Sequence, residues 1–252
     1  MDFKVIKDII LNDYASILFG VQNTLLVALV GTTIGLAIGL LVGGVKAIRV
    51  DDTASSFPKF LKKIYDIISS VYIELFRGTP MMIQAVFIYY ALLKVLNWTP
   101  IIAGMFVISI NTGAYMSEII RSGIQSVDKG QTEAARSLGM SNLKTMLLVV
   151  LPQAIKNAFP SIGNEFIVNI KDSSVLSIIT LTELMYQGDR IAGRTYKFTE
   201  TYFVILCIYL ILTLTTSYIL RKIEKKINKT TTSYPQSMTS STGMKMATQG
   251  EK

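Results

Sequence analysis

Histidine is absent from the 252 residues of this chain, and cysteine occurs once, at Cys207. Because histidine is the commonest metal ligand and the commonest general acid and base, its absence disfavours a hydrolase or a histidine-based proton relay. A single cysteine cannot build a disulfide framework or a thiolate metal site. We therefore predict that the chain holds no metal site and no catalytic residue of its own.

Charged residues are also scarce, at 17% of the chain, whereas half of the residues are hydrophobic. Soluble domains carry about 25% charged residues, so this composition is typical of a polytopic membrane protein with one domain. The formal charge of +8 does not indicate a nucleic-acid partner, because seven basic residues lie from Arg221 onward, directly after an apolar run. Basic residues in that position indicate membrane topology.

Apolar segments of membrane-spanning length predict an all-α transmembrane protein with five spans. The predicted spans are residues 24–45, 81–96, 101–124, 154–170 and 202–220. The fourth is the weakest prediction, because Pro160 and Gly163 interrupt it and Glu165 lies within it. Residues 57–76 have the pattern of an amphipathic interfacial helix. We assign residues 1–228 to one transmembrane domain and predict a disordered cytoplasmic tail at 229–252, which is rich in Thr and Ser.

Small residues recur at every fourth position of the first span, where they would lie on one face of a helix. They are Gly31, Gly35, Gly39 and Gly43. Such a stripe predicts the close approach of a second helix, as at small-residue interfaces in membranes. A similar stripe in the third span consists of Ser109, Gly113 and Ser117.

The distribution of basic residues predicts the orientation of the five spans. With the N-terminus outside, the inside segments 46–80, 117–148 and 221–252 hold 17 of the 25 Lys and Arg residues, and the outside segments hold five. The positive-inside rule then places the C-terminus and the loop near residues 128–152 in the cytoplasm.

That loop has the signals of two short helices. Asp128 and Gln131 have the spacing of a capping box, and Gly139 suits a left-handed helix C-cap. Ser141 can cap the second helix, which we expect to end at Pro152. Ala134 and Ala135 predict a thin face that another protein can approach, with Glu133 and Arg136 at its rim.

The same loop resembles the EAA motif of ABC importer permeases, EAA-x3-G-x9-I-x-LP. The matching positions are Glu133, Ala134, Ala135, Gly139, Leu151 and Pro152, with Val149 in place of Ile. The flanks "ELFRGTPMMIQAVFIYY" and "LPQAIKNAFPSIGNEFIVNIKDSS" resemble the polar amino-acid permeases, the histidine/glutamate/glutamine/arginine/opine group. The similarity extends over roughly residues 22–220.

The resemblance implies the fold and the partners of the chain. The fold is that of a five-span type I (MetI-like) permease in the bacterial plasma membrane, which forms the translocation pathway for a polar amino acid. The EAA loop would dock, through Glu133, Ala134, Ala135, Arg136 and Gly139, on one of two cytoplasmic ABC ATPase subunits. ATP and Mg would be bound by those subunits, because the chain contains no P-loop of the form GxxxxGK[ST]. A second permease and an extracytoplasmic solute-binding protein complete the expected complex.

Substrate contacts are expected near "GNEFIVNIKDSS", where Glu165, Asn169 and Asp172 would share one helix face. Ionisable groups at membrane depth usually face a cavity or a partner. By resemblance we predict that Glu165 and Asp172 engage the substrate, supported by Asn164, Asn169 and Ser174. Alternatively, Asp172 or Ser173 caps a following helix, and Glu165 pairs with Lys171 or Lys156.

Polar residues in the second and third spans give a further set of candidates. Gln84, Asn111 and Tyr115 either line the pathway or bond between helices. Arg77 could bind an anionic substrate group, but its position on the cytoplasmic side favours a structural role or a contact with an ATPase. Two rival functions stay open. An ion-coupled secondary transporter would use Glu165 and Asp172 for coupling, whereas a membrane enzyme is disfavoured by the lack of a nucleophile–base arrangement.

Overall fold

A computed structural model describes residues 1–48, 50 and 55–229, and every regular element in these ranges is helical. The predicted tail at 229–252 lies outside the described residues apart from its first residue. In chain order the elements are α1 (Phe3–Ala47), α2 (Ser56–Gly78), α3 (Met81–Leu96), α4 (Pro100–Gln125), α5 (Lys129–Ser137), α6 (Asn142–Thr145), a π-helical turn (Met146–Val150), α7 (Leu151–Asp172), a 3₁₀ helix (Ser173–Ile179), α8 (Leu184–Thr195) and α9 (Phe198–Lys229).

Four helical segments are long and apolar enough to cross a membrane: Phe3–Ala47, Pro100–Gln125, Asn142–Ile179 and Phe198–Ile227. The predicted second span, α3, is only 16 residues long, and it follows α2 at a bend of 111°. The described residues therefore hold four candidate spans, or five if this bent pair counts as one span. The all-α multi-span fold is therefore confirmed, and its orientation in the membrane stays a prediction.

The glycine stripe of α1 packs directly against α4, as predicted. A Cβ atom at Gly31 would lie 2.5 Å from Ile108 Cγ2, and one at Gly39 would lie 2.4 Å from Met116 Cβ. No real Cβ atom approaches a neighbour so closely, so the two helix backbones are in contact only because these positions lack side chains.

The first helix begins 21 residues before the predicted start of the first span at Thr24. Its early turns do not have the uniform hydrophobicity of a span. They pack instead by one face, through Ile9 and Ile17, against Leu184 of α8 and Val204 of α9. Tertiary packing of an amphipathic face extends the helix, which a hydropathy window does not detect.

The fourth span is a continuous helix in spite of Pro160 and Gly163. Pro160 has no N–H and cannot donate a helical hydrogen bond, but the rest of α7 stays helical. Gly163 leaves space for Leu220 of α9, whose Cδ1 would lie 3.3 Å from a Cβ atom added to Gly163. Packing on α4 and α9 outweighs the local preference of the two residues.

The expectation that Pro152 ends the second loop helix is wrong. The chain stays helical through this residue, because residues 146–150 form a π-helical turn and Pro152 lies in the first turn of α7. A wider turn relieves the clash of a proline ring with the preceding turn, and the missing N–H costs little at a helix start. The EAA loop is thus joined to α7 without a break.

Candidate functional site

The EAA loop contains the two helices that the sequence predicts, with their expected caps. Asp128 Oδ1 accepts a 2.7 Å hydrogen bond from the Gly130 N–H at the start of α5. At the other end Gly139 has φ of +81°, and its N–H donates to the Arg136 carbonyl at 2.9 Å. Ser141 caps α6 by accepting from the Lys144 N–H at 3.4 Å. The loop therefore has a defined shape before any partner binds.

Two details of the loop differ from the prediction. In a capping box the Gln131 side chain would also bond to the Asp128 N–H, and the described residues show no such bond. The Gln131 side-chain oxygen instead accepts a hydrogen bond from Gln153 Nε2 at 3.5 Å. Ala135 is buried within the chain, so only Ala134 of the alanine pair is exposed. The cause is the turn of α5 onto the π-helical segment, which covers one alanine and leaves the other on the outer face.

The two charged residues at the rim of the loop are both exposed. Arg136 Nη1 donates to the side-chain oxygen of Asn142, which connects α5 to α6. Glu133 lines a cavity of about 870 Å³ beneath the loop, together with Lys129 and Thr132. Both side chains thus lie where the sequence places them, at the edge of the face that carries Ala134.

Sequence analysis missed the apolar side chains that the loop exposes. Leu138 is 85% exposed, and three further leucines on the same loop are also exposed: Leu143, Leu147 and Leu148. A cluster of exposed large apolar residues in a polar loop is typical of a protein–protein contact.

Glu165 and Asp172 lie on α7, as predicted. Glu165 is nearly buried at 9% exposure, and its carboxylate makes no hydrogen bond or ion pair to any residue that the structure describes. A nearly buried carboxylate without a bonded partner is suited to bind a cationic group.

Asn169 lies between three helices. Its Nδ2 donates to Thr32 Oγ1 of α1 at 2.8 Å, and its Oδ1 accepts from Thr112 Oγ1 of α4 at 3.0 Å. Both ends of the amide are thus bonded within the chain. The sequence did not predict that either threonine bonds to Asn169, because nothing in a single sequence indicates which hydroxyls will meet across helices.

The remaining substrate candidates occupy the two ends of this segment. Asn164 is exposed, and Ser174 is half-buried with its hydroxyl donating to the Lys171 carbonyl at 2.6 Å. A 3₁₀ helix does follow Asp172, as the alternative expected, but Asp172 makes no side-chain cap bond to it. Ser173 instead donates to the Ile170 carbonyl at 2.9 Å. The Asp172 carboxylate therefore does not act as a helix cap.

Gln84 and Asn111 bond between helices, which was one of the two roles expected for them. Asn111 Nδ2 donates to Gln84 Oε1 at 2.9 Å, and Gln84 Nε2 donates to the Phe76 and Thr79 carbonyls, each at 2.9 Å. The bend between α2 and α3 interrupts the helical backbone hydrogen bonds, so these carbonyls lack a backbone donor. The Gln84 and Asn111 side chains supply donors to them.

Tyr115 is exposed on α4, in contact with Arg77 of the same joint. The Arg77 guanidinium lies 5.4 Å from the centre of the Tyr115 ring and 3.7 Å from Glu118 Oε2. The predicted structural role of Arg77 thus consists of contacts from the joint to α4. The role of Tyr115 in the pathway stays a prediction.

Comparison with protein families identifies the class to which this architecture corresponds. Residues 53–229 match the family model described as "Binding-protein-dependent transport system inner membrane component". The chain is 36% identical over 211 residues to the glutamine transport system permease protein GlnP of Escherichia coli strain K12, covering 82% of this chain and 91% of that one. It is 38% identical over 216 residues to the putative glutamine transport system permease protein GlnP of Rickettsia bellii, covering 84% and 94%.

Solved structures with the same architecture include one described as an amino acid ABC transporter with histidines. It matches with a TM-score of 0.76 and 38% identity, covering 90% of this chain and 99% of that one. An inward-facing structure of the MetNI methionine ABC transporter matches with a TM-score of 0.71 and 19% identity, covering 84% and 95%, and shares the fold.

Proposed function

The chain belongs to the family of inner membrane components of binding-protein-dependent transport systems, and we propose that it forms the translocation pathway for a polar amino acid. It is a permease subunit of an ABC importer and a multi-pass protein of the inner membrane. Such permeases work with an ATPase and with a substrate-binding protein. The ATPase activity belongs to the partner subunit.

The EAA loop supports the proposed coupling to the ATPase. It presents Ala134, Leu138 and Gly139 on an exposed, capped helix end, and a small or apolar surface of this kind allows close docking. Its second helix continues through the π-helical turn into α7, which carries Glu165 and Asp172. A displacement of the loop by an ATPase therefore reaches the candidate substrate site along one continuous element.

We assign two ATPase subunits and a second permease, either another copy or a close paralogue, to the complex. The support is the resemblance of the chain to the polar amino-acid permeases, which implies this assembly.

The proposed substrate class rests on Glu165 and Asp172. Both carboxylates lie in a segment whose other charges are few, so they favour the ammonium group that every amino acid carries. Arg77, at the end of α2, is a positive charge that would attract the carboxylate of the same molecule. A zwitterion satisfies both signs, and the glutamine permeases to which the chain is similar have a substrate of that class.

Uptake of radiolabelled amino acids into proteoliposomes tests this function. The permease is reconstituted with its ABC ATPase and solute-binding protein, and uptake is measured with and without ATP on the ATPase side and with an ionophore. We expect uptake that requires ATP and continues when the ionophore collapses the ion gradients. Uptake that needs no ATPase and stops with the ionophore would instead identify an ion-coupled secondary transporter.

A further inference from the structure

Two aromatic side chains are exposed where α8 ends and α9 begins. Tyr196 follows the last residue of α8 and is 80% exposed, and Phe198, the first residue of α9, is 52% exposed. Much of the surface of both side chains thus lies outside the packed interior. We refer to residues 194–198 as the α8–α9 corner.

The backbone of Tyr196 is in the left-handed region, with φ of +55°. Residues with a Cβ atom rarely adopt this conformation, and glycine is the usual residue just beyond the end of a helix. The Tyr196 N–H donates a 2.8 Å hydrogen bond to the Ala192 carbonyl, so the corner closes α8 in a defined shape. Because the exposed ring contributes little packing that would offset the strain, we infer that it makes a contact outside the chain.

The surface of α8 next to the two rings is polar. Every exposed residue of this helix is small or charged: Asp189, Arg190, Gly193 and Arg194. Such a face is not immersed in lipid, where its charges would lose their water. Asp189 accepts a 2.8 Å hydrogen bond from the Tyr202 hydroxyl, and Arg194 is bonded to Asp13 at 2.6 Å. Aromatic side chains beside a polar rim of this kind are typical of protein–protein interfaces.

The α8–α9 corner lies at the opposite end of the protein from the EAA loop. The first turns of α1 pack on α8 through Ile9 and Ile17, whereas its last turn, with Lys46, lines the cavity beneath the EAA loop. About 50 Å of helix separates Lys46 from Asp13, which is bonded to Arg194 of the corner. A partner on the corner is therefore on the side opposite to the ATPase, from which an importer receives its solute.

The helix that carries the corner is fastened at both ends. At its start the buried Glu183 caps α8 and accepts a 2.7 Å hydrogen bond from the Tyr209 hydroxyl of α9. At its end Arg194 is bonded to Asp13 of α1. The 3₁₀ helix before α8 begins directly after Asp172, so α8 is connected through it to the candidate substrate site.

We propose that the α8–α9 corner is a docking surface for the extracytoplasmic solute-binding protein, with the Tyr196 ring at its centre and Phe198 beside it. The proposal rests on the proposed function, because transport systems of this family depend on a binding protein. The two rings form the apolar contact, and Arg190 and Arg194 belong to its polar rim. Because α8 is fixed before the partner arrives, docking requires little ordering of the chain.

Binding of the purified solute-binding protein to the permease–ATPase complex in lipid nanodiscs tests the proposal. The solute-binding protein carries a fluorescent label and its bound amino acid, and its affinity is measured by fluorescence anisotropy. Tyr196→Gly removes the ring and relieves the left-handed backbone, so the complex should unfold at the same temperature as the native complex or a higher one. Its affinity for the binding protein should nevertheless fall about tenfold or more, as for an aromatic residue at the centre of an interface.

Two matched variants separate the ring from other effects. Tyr196→Phe keeps the ring and should bind nearly as the native complex does. Tyr218→Ala removes a ring that is 55% exposed on α9, away from the corner, and should also bind natively.

Two results would overturn the proposal. The first is native affinity of the Tyr196→Gly complex, which would place the ring in the lipid headgroup region, and the second is an equal loss for Tyr218→Ala. A native complex that does not bind the solute-binding protein at all would overturn the proposed function too, so the two failures are distinguishable.

Discussion

Asn169 of α7 donates a 2.8 Å hydrogen bond to the hydroxyl of Thr32 in α1, across 137 residues of chain. The same amide accepts from Thr112 of α4, so one side chain joins the three helices that form the centre of the protein. All three residues are buried. Because lipid offers no alternative partner for these groups, each of them depends on the others for its hydrogen bond.

The first prediction concerns this three-helix contact. Asn169→Leu should lower the stability of the folded protein, since it leaves two buried hydroxyls without a partner and removes bonds worth about 0.6–1.7 kcal/mol each in membrane proteins. A double-mutant cycle with Thr32→Val, measured by thermal unfolding in detergent, isolates the Asn169–Thr32 bond. Strictly additive effects of the two substitutions would show that the bond contributes nothing.

A second prediction follows from the contact of α1 with α4. Gly39→Ala places a methyl group 2.4 Å from Met116 Cβ, so we expect a loss of about 1–3 kcal/mol in the free energy of unfolding. Gly44→Ala is the matched control in the same helix, because nothing lies within 4 Å of its added Cβ atom. We expect the control to be neutral or slightly stabilising. Equal unfolding curves for the two variants contradict the close packing.

The third prediction tests the conformation of the EAA loop. Gly139 has a left-handed backbone, which costs a residue with a Cβ atom about 1–2 kcal/mol, and asparagine tolerates it better than alanine. Gly139→Ala should therefore reduce ATPase activity stimulated by the binding protein about fivefold or more. Gly139→Asn should retain more of this activity than Gly139→Ala.

Gly78→Ala is the control for the loop experiment, because no atom lies within 4 Å of its added Cβ atom and its φ is not positive. The complex with Gly78→Ala should show the normal stimulation of ATPase activity by the binding protein. If alanine and asparagine at position 139 behave alike, the backbone conformation of the loop is not what the ATPase recognises.

The fourth prediction concerns the candidate substrate site. Glu165→Gln keeps the shape of the side chain but removes its charge, so amino-acid uptake by the reconstituted complex should fall about tenfold or more. Co-purification of the ATPase should be unchanged, because Glu165 lies on α7 away from the exposed loop. Glu224→Gln, near the end of α9, removes the same charge outside the site and should leave uptake intact. Native uptake by Glu165→Gln would exclude the proposed role.

Much of the fold follows from local sequence signals that the structure bears out. The residues at every fourth position of α1 predicted a close helix contact, and Asp128, Gly139 and Ser141 predicted the ends of the loop helices. Such signals act through the backbone within a few residues, so a single sequence carries them completely. The prediction for Pro152 failed because a π-helical turn is an alternative that local preference does not distinguish from a helix end.

The candidate site was predictable in its residue types but not in its contacts. Glu165, Asn169 and Asp172 share a helix face by spacing alone, yet only the packed structure separates the bonded Asn169 from the two carboxylates. The alanine pair of the loop shows the same limit, because the fold buries Ala135 and exposes Ala134. The exposed leucines of the loop were missed for a related reason, since exposure depends on what surrounds a residue.

The sequence by itself determined the membrane class, the all-helical architecture and the EAA loop, because hydropathy, small-residue spacing and helix caps act over a few turns of chain. Only the tertiary structure decided which polar side chains form hydrogen bonds inside the protein and which remain free to bind a ligand. It joined Asn169 to Thr32 and Gln84 to Asn111, and it brought Arg77 to 3.7 Å from Glu118. These contacts connect residues far apart in the chain, and their partners are chosen by the packing of whole helices rather than by any local preference.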